Sequence, residues 1–344
     1  MGKKQLLFDQ ETIHSRLTET YLKSQFVEIE DPGKLKIIVF SDHHRGVKDR
    51  ADDFLKCKRA YHAALGWYLE GGFQLVLLGD VEDLWESKPG QVCEAYRDTL
   101  ELEQRFAMEK KLIRIAGNHD EEWLDAGSVR KHIGKYLNLP ETFSGFPLSH
   151  LIRIKTADGK NHGEIFFAHG YQGTFDSEQI SWLSKLFVRY ILRPLQRLTN
   201  FRSTTPSNDF EMRNAHEIIM HNWAATKERF IFITGHTHHP VFDSVTHEAL
   251  LREELAQAQT IEKKAVARAK LEWVLVASEG VESSLPVDKS GFFNAGCCSF
   301  SDGDITGIEI ENGEIRLVRW PDDTGSPLRK ILASGKLSKV FDRI

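Results

Sequence analysis

The sequence predicts an α/β fold, a sheet of buried strands covered by helices. Three observations predict it. Short β-branched apolar runs recur, each of strand length. They alternate with longer segments of helical spacing, the βαβ pattern. The runs end in clusters of Asp, Asn, His and Gly, and sites in such sheets gather at the carboxyl ends of the strands.

Residues 9–27 read as a helix with Ile13, Leu17, Tyr21 and Leu22 on one face. The turn Asp31-Pro32-Gly33 leads into Leu35–Phe40, a strand that ends in Ser41-Asp42-His43-His44-Arg45-Gly46. Residues 51–70 return to helical spacing, and Gln74–Leu78 is a second strand ending in Gly79-Asp80-Val81-Glu82-Asp83. Residues 90–109 are helical, and 112–116 form a third strand ending in Gly117-Asn118-His119-Asp120. Strands are expected at 151–154 and 164–168, the latter running into His169-Gly170. Phe230–Thr234 ends in Gly235-His236-Thr237-His238-His239-Pro240. Residues 247–270, rich in Ala, Glu and Lys, read as a solvated helix. Late strands are expected at 273–276 and 305–310, and Asn312-Gly313 turns the latter into 315–318. The organisation expected is an N-terminal helical extension (1–30), one main domain (31–320) with insertions at 174–225 and 247–270, and a C-terminal tail (321–344).

Composition narrows the function. The 344 residues carry 45 Lys+Arg against 50 Asp+Glu, a net charge of −5. That argues against stable nucleic-acid binding, which favours a basic surface. Four cysteines show no disulfide framework and no zinc Cys-x-x-Cys pair, so a reducing, cytoplasmic setting is expected. The first residues lack the apolar core of a signal peptide, and no run approaches the ~18 residues of a membrane span.

Five strand-end clusters stand in order: Asp42-x-His44, Gly79-Asp80-x-x-Asp83, Gly117-Asn118-His119-Asp120, His169-Gly170 and Gly235-His236-x-His238. Asp42, Asp80 and Asn118 recur at intervals of 38 residues, about one βαβ unit each, so adjacent parallel strands would set them side by side. Carboxylate, carboxamide and imidazole donors without thiolate suit Mn, Fe, Zn, Co or Ni. Two such ions ~3.5–4 Å apart can hold a hydroxide and neutralise a phosphoryl group during in-line displacement.

In order and spelling the five clusters resemble those of the calcineurin-like metallophosphoesterase superfamily, over roughly residues 35–300. The resemblance implies a four-layer α/β/β/α sandwich with two mixed β-sheets. It also implies two divalent metal ions, Mn foremost, and hydrolysis of a phosphate ester by a metal-bound hydroxide. Asp42, His44 and His238 would hold the first ion, Asn118, His169 and His236 the second, and Asp80 would bridge them. His119 would be the acid at the leaving group, oriented by Asp83. Leu84 stands where the protein phosphatase branch has Arg, which argues against a protein phosphatase.

Further residues are read on their own chemistry. Arg45 is a candidate for holding a substrate phosphate, Asp120 for capping the helix that follows, and His43 and His239 for support beside ligands or for substrate contact. Cys297 and Cys298 are expected as buried free thiols. Residues 178–202 pair an apolar helical face with a basic stripe, Lys185, Arg189, Arg193 and Arg197. Packed on the body it is an ordinary amphipathic helix; over the site it is a lid with peripheral membrane contact. That insertion resembles the one in the UDP-2,3-diacylglucosamine pyrophosphatase branch of lipid A precursor synthesis, although that branch typically has Arg where this chain has His119. The same donor clusters would also serve a Mn-dependent nuclease, or persist in a non-catalytic scaffold of the same fold.

Overall fold

A computed structural model describes residues 9–155, 159, 161–173, 210–277, 291–322 and 325–343. The basic stripe of 178–202 therefore lies outside the described residues. The strands are β1 (Gln25–Ile29), β2 (Lys36–Phe40), β3 (Gln74–Leu78), β4 (Leu112–Ile115), β5 (Ser149–Lys155), β6 (Asn161–Ala168) and β7 (Phe230–Thr234). They continue with β8 (Val241–Phe242), β9 (Val245–Thr246), β10 (Phe292–Asn294), β11 (Ile305–Glu311), β12 (Glu314–Trp320) and β13 (Lys330–Lys336). The α-helices of eight or more residues among the described residues are α1 (Gln10–Leu22), α2 (Phe54–Glu70), α3 (Arg97–Met108), α4 (Phe210–Ala224), α5 (His247–Gln257) and α6 (Ile261–Ala277).

These strands form two mixed sheets, in the orders β13-β12-β11-β2-β3-β4 and β1-β5-β6-β7-β10-β8-β9. In the first, β2, β3 and β4 run parallel, so their ends come out along one rim. In the second, β6, β7 and β10 run parallel beside each other.

Strand alternation explains the layering, because successive side chains point to opposite faces. Ile37 and Val39 of β2 face Ile165, Phe167, Ile231 and Ile233 of the other sheet. Ile38 and Phe40 face the opposite way and pack with Phe54, Tyr61, Tyr68 and Phe106 of α2 and α3. On the far side, Phe166 and Phe232 pack with Ile13 and Leu17 of α1 and Trp223 of α4. The result is an α/β/β/α sandwich, each fully buried aliphatic or aromatic side chain contributing about 1.5–3 kcal/mol.

Several elements differ from the sequence reading. The first helix stops at Leu22, which is exposed, and Gln25–Ile29 pairs in parallel with β5 as an edge strand. The helix expected over 90–109 is broken at Tyr96, whose ring is buried against Phe54 and whose hydroxyl donates to Asp52. The run Trp273–Val276, read as a strand, is the last turn of α6, for four apolar residues carry no period that separates strand from helix. The residues set apart as a tail join the body: β13 pairs antiparallel with β12, and Leu337, Val340 and Phe341 are buried between the sheets. At the hairpin from β11 to β12, Asn312 and Gly313 have φ of 53° and 72°, the left-handed pair that a two-residue turn requires. No helix among the described residues is long and apolar enough to cross a membrane.

Candidate metal centre

The five clusters meet where the two sheets adjoin. Beyond the last residues of β2 and β3 the ladder continues into the loops: Asp42 N donates to Gly79 O at 3.1 Å, and His44 N to Asp80 O at 3.0 Å. The second sheet is tied in by Gly235 N to His169 O at 3.0 Å, and across the sheets by His236 N to Asp42 Oδ2 at 2.9 Å. Asn294 of β10, which the sequence did not flag, donates from Nδ2 to Gly235 O at 2.8 Å and so holds that loop's shape. Gly235 has no room for a side chain: a Cβ there would overlap Ser41 Oγ and Asp42 Oδ2. Asp42, His44, Asp80, His236 and His238 all have φ between 50° and 71°. Left-handed backbone is costly for residues with a Cβ and tends to gather at functional sites.

Three groups of donors result, each with its atoms within 4.8 Å of one another: Asp42, His44 and His238; His44, Asp80 and His119; Asp80, His169 and His236. His44 Nε2 and His238 Nε2 are 3.0 Å apart, and His238 Nε2 is 3.2 Å from Asp42 Oδ1. His169 Nδ1 donates to Leu78 O at 2.7 Å, which leaves Nε2 to present its lone pair 3.1 Å from Asp80 Oδ2. Acceptors thus face acceptors, an arrangement that only protons or a cation can stabilise. Asp42 Oδ1, Asn118 Oδ1, His169 Nε2 and His236 Nδ1 are buried with no hydrogen-bond partner. Buried polar atoms are rarely left so.

Without a cation, protons take that place. Burial disfavours charge on His44, but the carboxylates of Asp42 and Asp80, 3.8 and 3.9 Å from its Nε2, outweigh it and push His44 up to about 10. Burial likewise opposes charge on His169, yet Asp80 and Asp42 raise it to about 9. Burial opposes charge on Asp42 and Asp80 too, and both are nonetheless held well below the usual carboxylate range. His238 and His169 outweigh it at Asp42, and His169 and His119 at Asp80. Burial and the neighbouring His169 and His216 push His236 well down.

At neutral pH the metal-free protein therefore carries protons on His44 and His169 that a cation must displace. Affinity for Mn²⁺ is expected to rise with pH between about 6.5 and 9, by about tenfold per unit for each proton displaced. Titration calorimetry in buffers of different ionisation enthalpy should register the released protons; affinity that stays flat over this range would contradict it.

Beside the donors, His119 Nδ1 lies 3.1 Å from Asp83 Oδ1, and its main-chain N donates to Asp80 Oδ1 at 2.9 Å. Burial opposes charge on this imidazole, while Asp80 and Asp83 raise its pKa. The indole of Trp85 lies flat on it, centroids 4.2 Å apart and planes 15° apart. The sequence reading did not single out Trp85; its position two residues after Asp83 was the available signal.

Two expectations are corrected. Arg45 does not reach the site. It is fully buried between the rings of Phe54 and Tyr61, and its guanidinium donates to Glu103 and Glu82. Arg114 donates to the same two carboxylates, closing a buried quartet under the loops. Asp120 does not cap the following turn: its carboxylate accepts from Val81 N at 2.8 Å and Gly117 N at 2.6 Å, locking two loops together. Burial, with Asp80 and Glu82 nearby, raises it to about 6. His43 is buried against Tyr61 and Phe54, and His239 Nδ1 lies 3.2 Å from Glu217 Oε2. Cys297 and Cys298 are buried free thiols.

Two mixed sheets between helices, with a cluster of aspartates and histidines at their shared rim that could hold metal, define an α/β/β/α class with a candidate metal centre. A family model described as calcineurin-like phosphoesterase matches residues 35–260, and the chain belongs to that family. No curated protein matches it. Among solved structures it is similar to vacuolar protein sorting 29 from Cryptosporidium parvum, at 13% identity over 88% of this chain and 98% of that one, with a TM-score of 0.35. It is also similar to a single mutant of the Entamoeba histolytica Vps29, at 13% identity, 86% and 98% coverage and a TM-score of 0.35. Neither likeness bears on what this chain does.

Proposed function

We propose that this chain is a dimetal-dependent phosphoesterase that hydrolyses a phosphate ester by in-line displacement. The observation that carries the reading is the meeting of Asp42, His44, Asp80, His169, His236 and His238 in close donor groups, with buried, unpartnered acceptors on Asp42, Asn118, His169 and His236, beside a paired His119 and Asp83. Asp42, His44 and His238 would hold one ion and Asn118, His169 and His236 the other, with Asp80, which belongs to two of the donor groups, between them. Two divalent ions bound there would activate water and neutralise charge on the phosphoryl group. The chain's own contribution is the acid. Asp83 fixes the His119 ring through Nδ1, and Nε2 delivers its proton to the departing oxygen. The donor set, with no thiolate, makes Mn²⁺ the first ion to test, ahead of Fe, Zn, Co and Ni.

The test is a Mn²⁺-supplemented panel of monoesters, diesters, a nucleotide-sugar pyrophosphate of the UDP-2,3-diacylglucosamine type, phospholipids and DNA. Hydrolysis of at least one class, lost on chelation and regained with Mn²⁺, is expected. Two tightly bound ions with no turnover anywhere on the panel would leave the scaffold reading instead. A vesicle-sedimentation arm tests the membrane contact proposed for 178–202.

A further inference from the structure

We infer that Trp85 is the positioning residue of the acid His119, so that its indole governs turnover of substrates with poor leaving groups. The inference rests on the phosphoesterase reading and adds to it a residue that reading does not use. An imidazole tethered only through Nδ1 keeps a soft torsion about its Cβ–Cγ bond, because such torsions have broad wells. The hydrogen bond to Asp83 restrains that torsion only as far as the Asp83 carboxylate holds still, and a carboxylate's own terminal torsion is equally broad. The indole removes that freedom. It lies nearly parallel to the imidazole, 15° apart at 4.2 Å, and covers one face. His44 meets the ring edge-on at 4.7 Å and 89°.

Trp85 is itself fixed. Its Nε1 donates to Asn118 O at 2.7 Å, so the indole is bonded to the residue just before the one it stacks on. Leu84 N donates to His119 O at 3.1 Å, binding the backbone of the Trp85 turn to the same loop. The ring is thereby held by a face, an edge and Nδ1, and Nε2 is the nitrogen left for chemistry. In the step, water forms the new P–O bond in line and releases one proton to solvent as the P–O bond to the leaving group breaks, and the Nε2 proton moves to the departing oxygen. Neutral His119 then recovers a proton from solvent. A ring free to rotate misplaces that proton, and the penalty grows with the basicity of the leaving oxygen.

The experiment compares Trp85→Ala and Trp85→Phe with the unsubstituted protein on paired substrates, a p-nitrophenyl ester and an alkyl ester of the same phosphate. For Trp85→Ala, kcat on the alkyl ester is expected to fall roughly a hundred-fold. On the p-nitrophenyl ester, whose leaving group needs no proton, the fall should stay under about threefold. Bound metal, read by mass spectrometry, should be unchanged. Trp85→Phe keeps a flat ring and should recover most of the alkyl-ester rate. A second readout needs no turnover: protonated imidazole quenches a stacked indole, so His119→Ala should brighten tryptophan fluorescence in the presence of Trp85 and not in the Trp85→Phe background. Equal losses on both esters, or no loss on either, overturns the inference, as does fluorescence that responds alike in both backgrounds. If the unsubstituted protein hydrolyses neither ester nor any panel substrate, the phosphoesterase reading itself fails, and the inference with it. That result is distinct, because the fluorescence test still reports whether the stack exists.

Discussion

Replacing Asp80 with Ala is expected to abolish hydrolysis and to empty the metal centre. Asp80 Oδ2 lies 3.9 Å from His44 Nε2 and 3.1 Å from His169 Nε2, one donor proposed for each ion, so its loss is expected to remove a ligand from both halves. Its other oxygen accepts the main-chain N of His119 at 2.9 Å, so the same change loosens the acid. Metal-derived transition-state stabilisation is worth several kcal/mol. At about 1.4 kcal/mol per tenfold, the rate should fall by at least about a thousand-fold. Metal content measured after gel filtration should drop from two ions per chain to less than one. The fold should survive, because the position is a strand-end loop and the cost is that of a few hydrogen bonds, about 1–3 kcal/mol. Undiminished activity would remove the basis of the proposed function.

Replacing Arg45 with Ala is expected to strike stability and not substrate binding. The side chain is fully buried, with Glu103 and Glu82 as partners. Its removal leaves two buried carboxylates with Arg114 as their remaining cation. Breaking a buried ion pair from one side costs about 3–5 kcal/mol. Urea unfolding should show that loss as a lower midpoint. Were Arg45 a phosphate ligand, the same variant would raise KM with stability unchanged, so one purification separates the two roles. The quartet also has a pH signature. Burial opposes charge on Glu103, but Arg45 and Arg114 outweigh it and hold its carboxyl below the usual value. A depressed folded pKa contributes stability that is present above the unfolded value, near 4.5, and is lost as pH falls through the folded one. The difference in stability between the native protein and Arg45→Ala should therefore be full at neutral pH and shrink below about pH 4.5.

Asp80 and Arg45 stand on opposite sides of what a sequence can carry. Sequence by itself determined the fold class and which residues stand at the strand ends as candidate donors. A strand needs only its short β-branched run, and the five strand ends carry Asp, Asn and His in an order that parallel strands bring to one rim. Those are local properties, and spacing alone preserves them. Only the tertiary structure decided which face each neighbour took. Arg45 stands one residue beyond His44, yet its guanidinium turns into the core, because α2 and α3 bring Tyr61 and Glu103 against it. Asp120 follows His119, yet it locks loops that are distant in sequence. Trp85 acquires its place only when the loops after β3 and β4 lie side by side. The tail joined a sheet for the same reason: β13 looks polar by itself, and pairing with β12 is what makes it a strand. What a side chain can donate follows from its chemistry, which the sequence spells out. Orientation follows from which long-range neighbours arrive, and a chain reveals those only once it has folded.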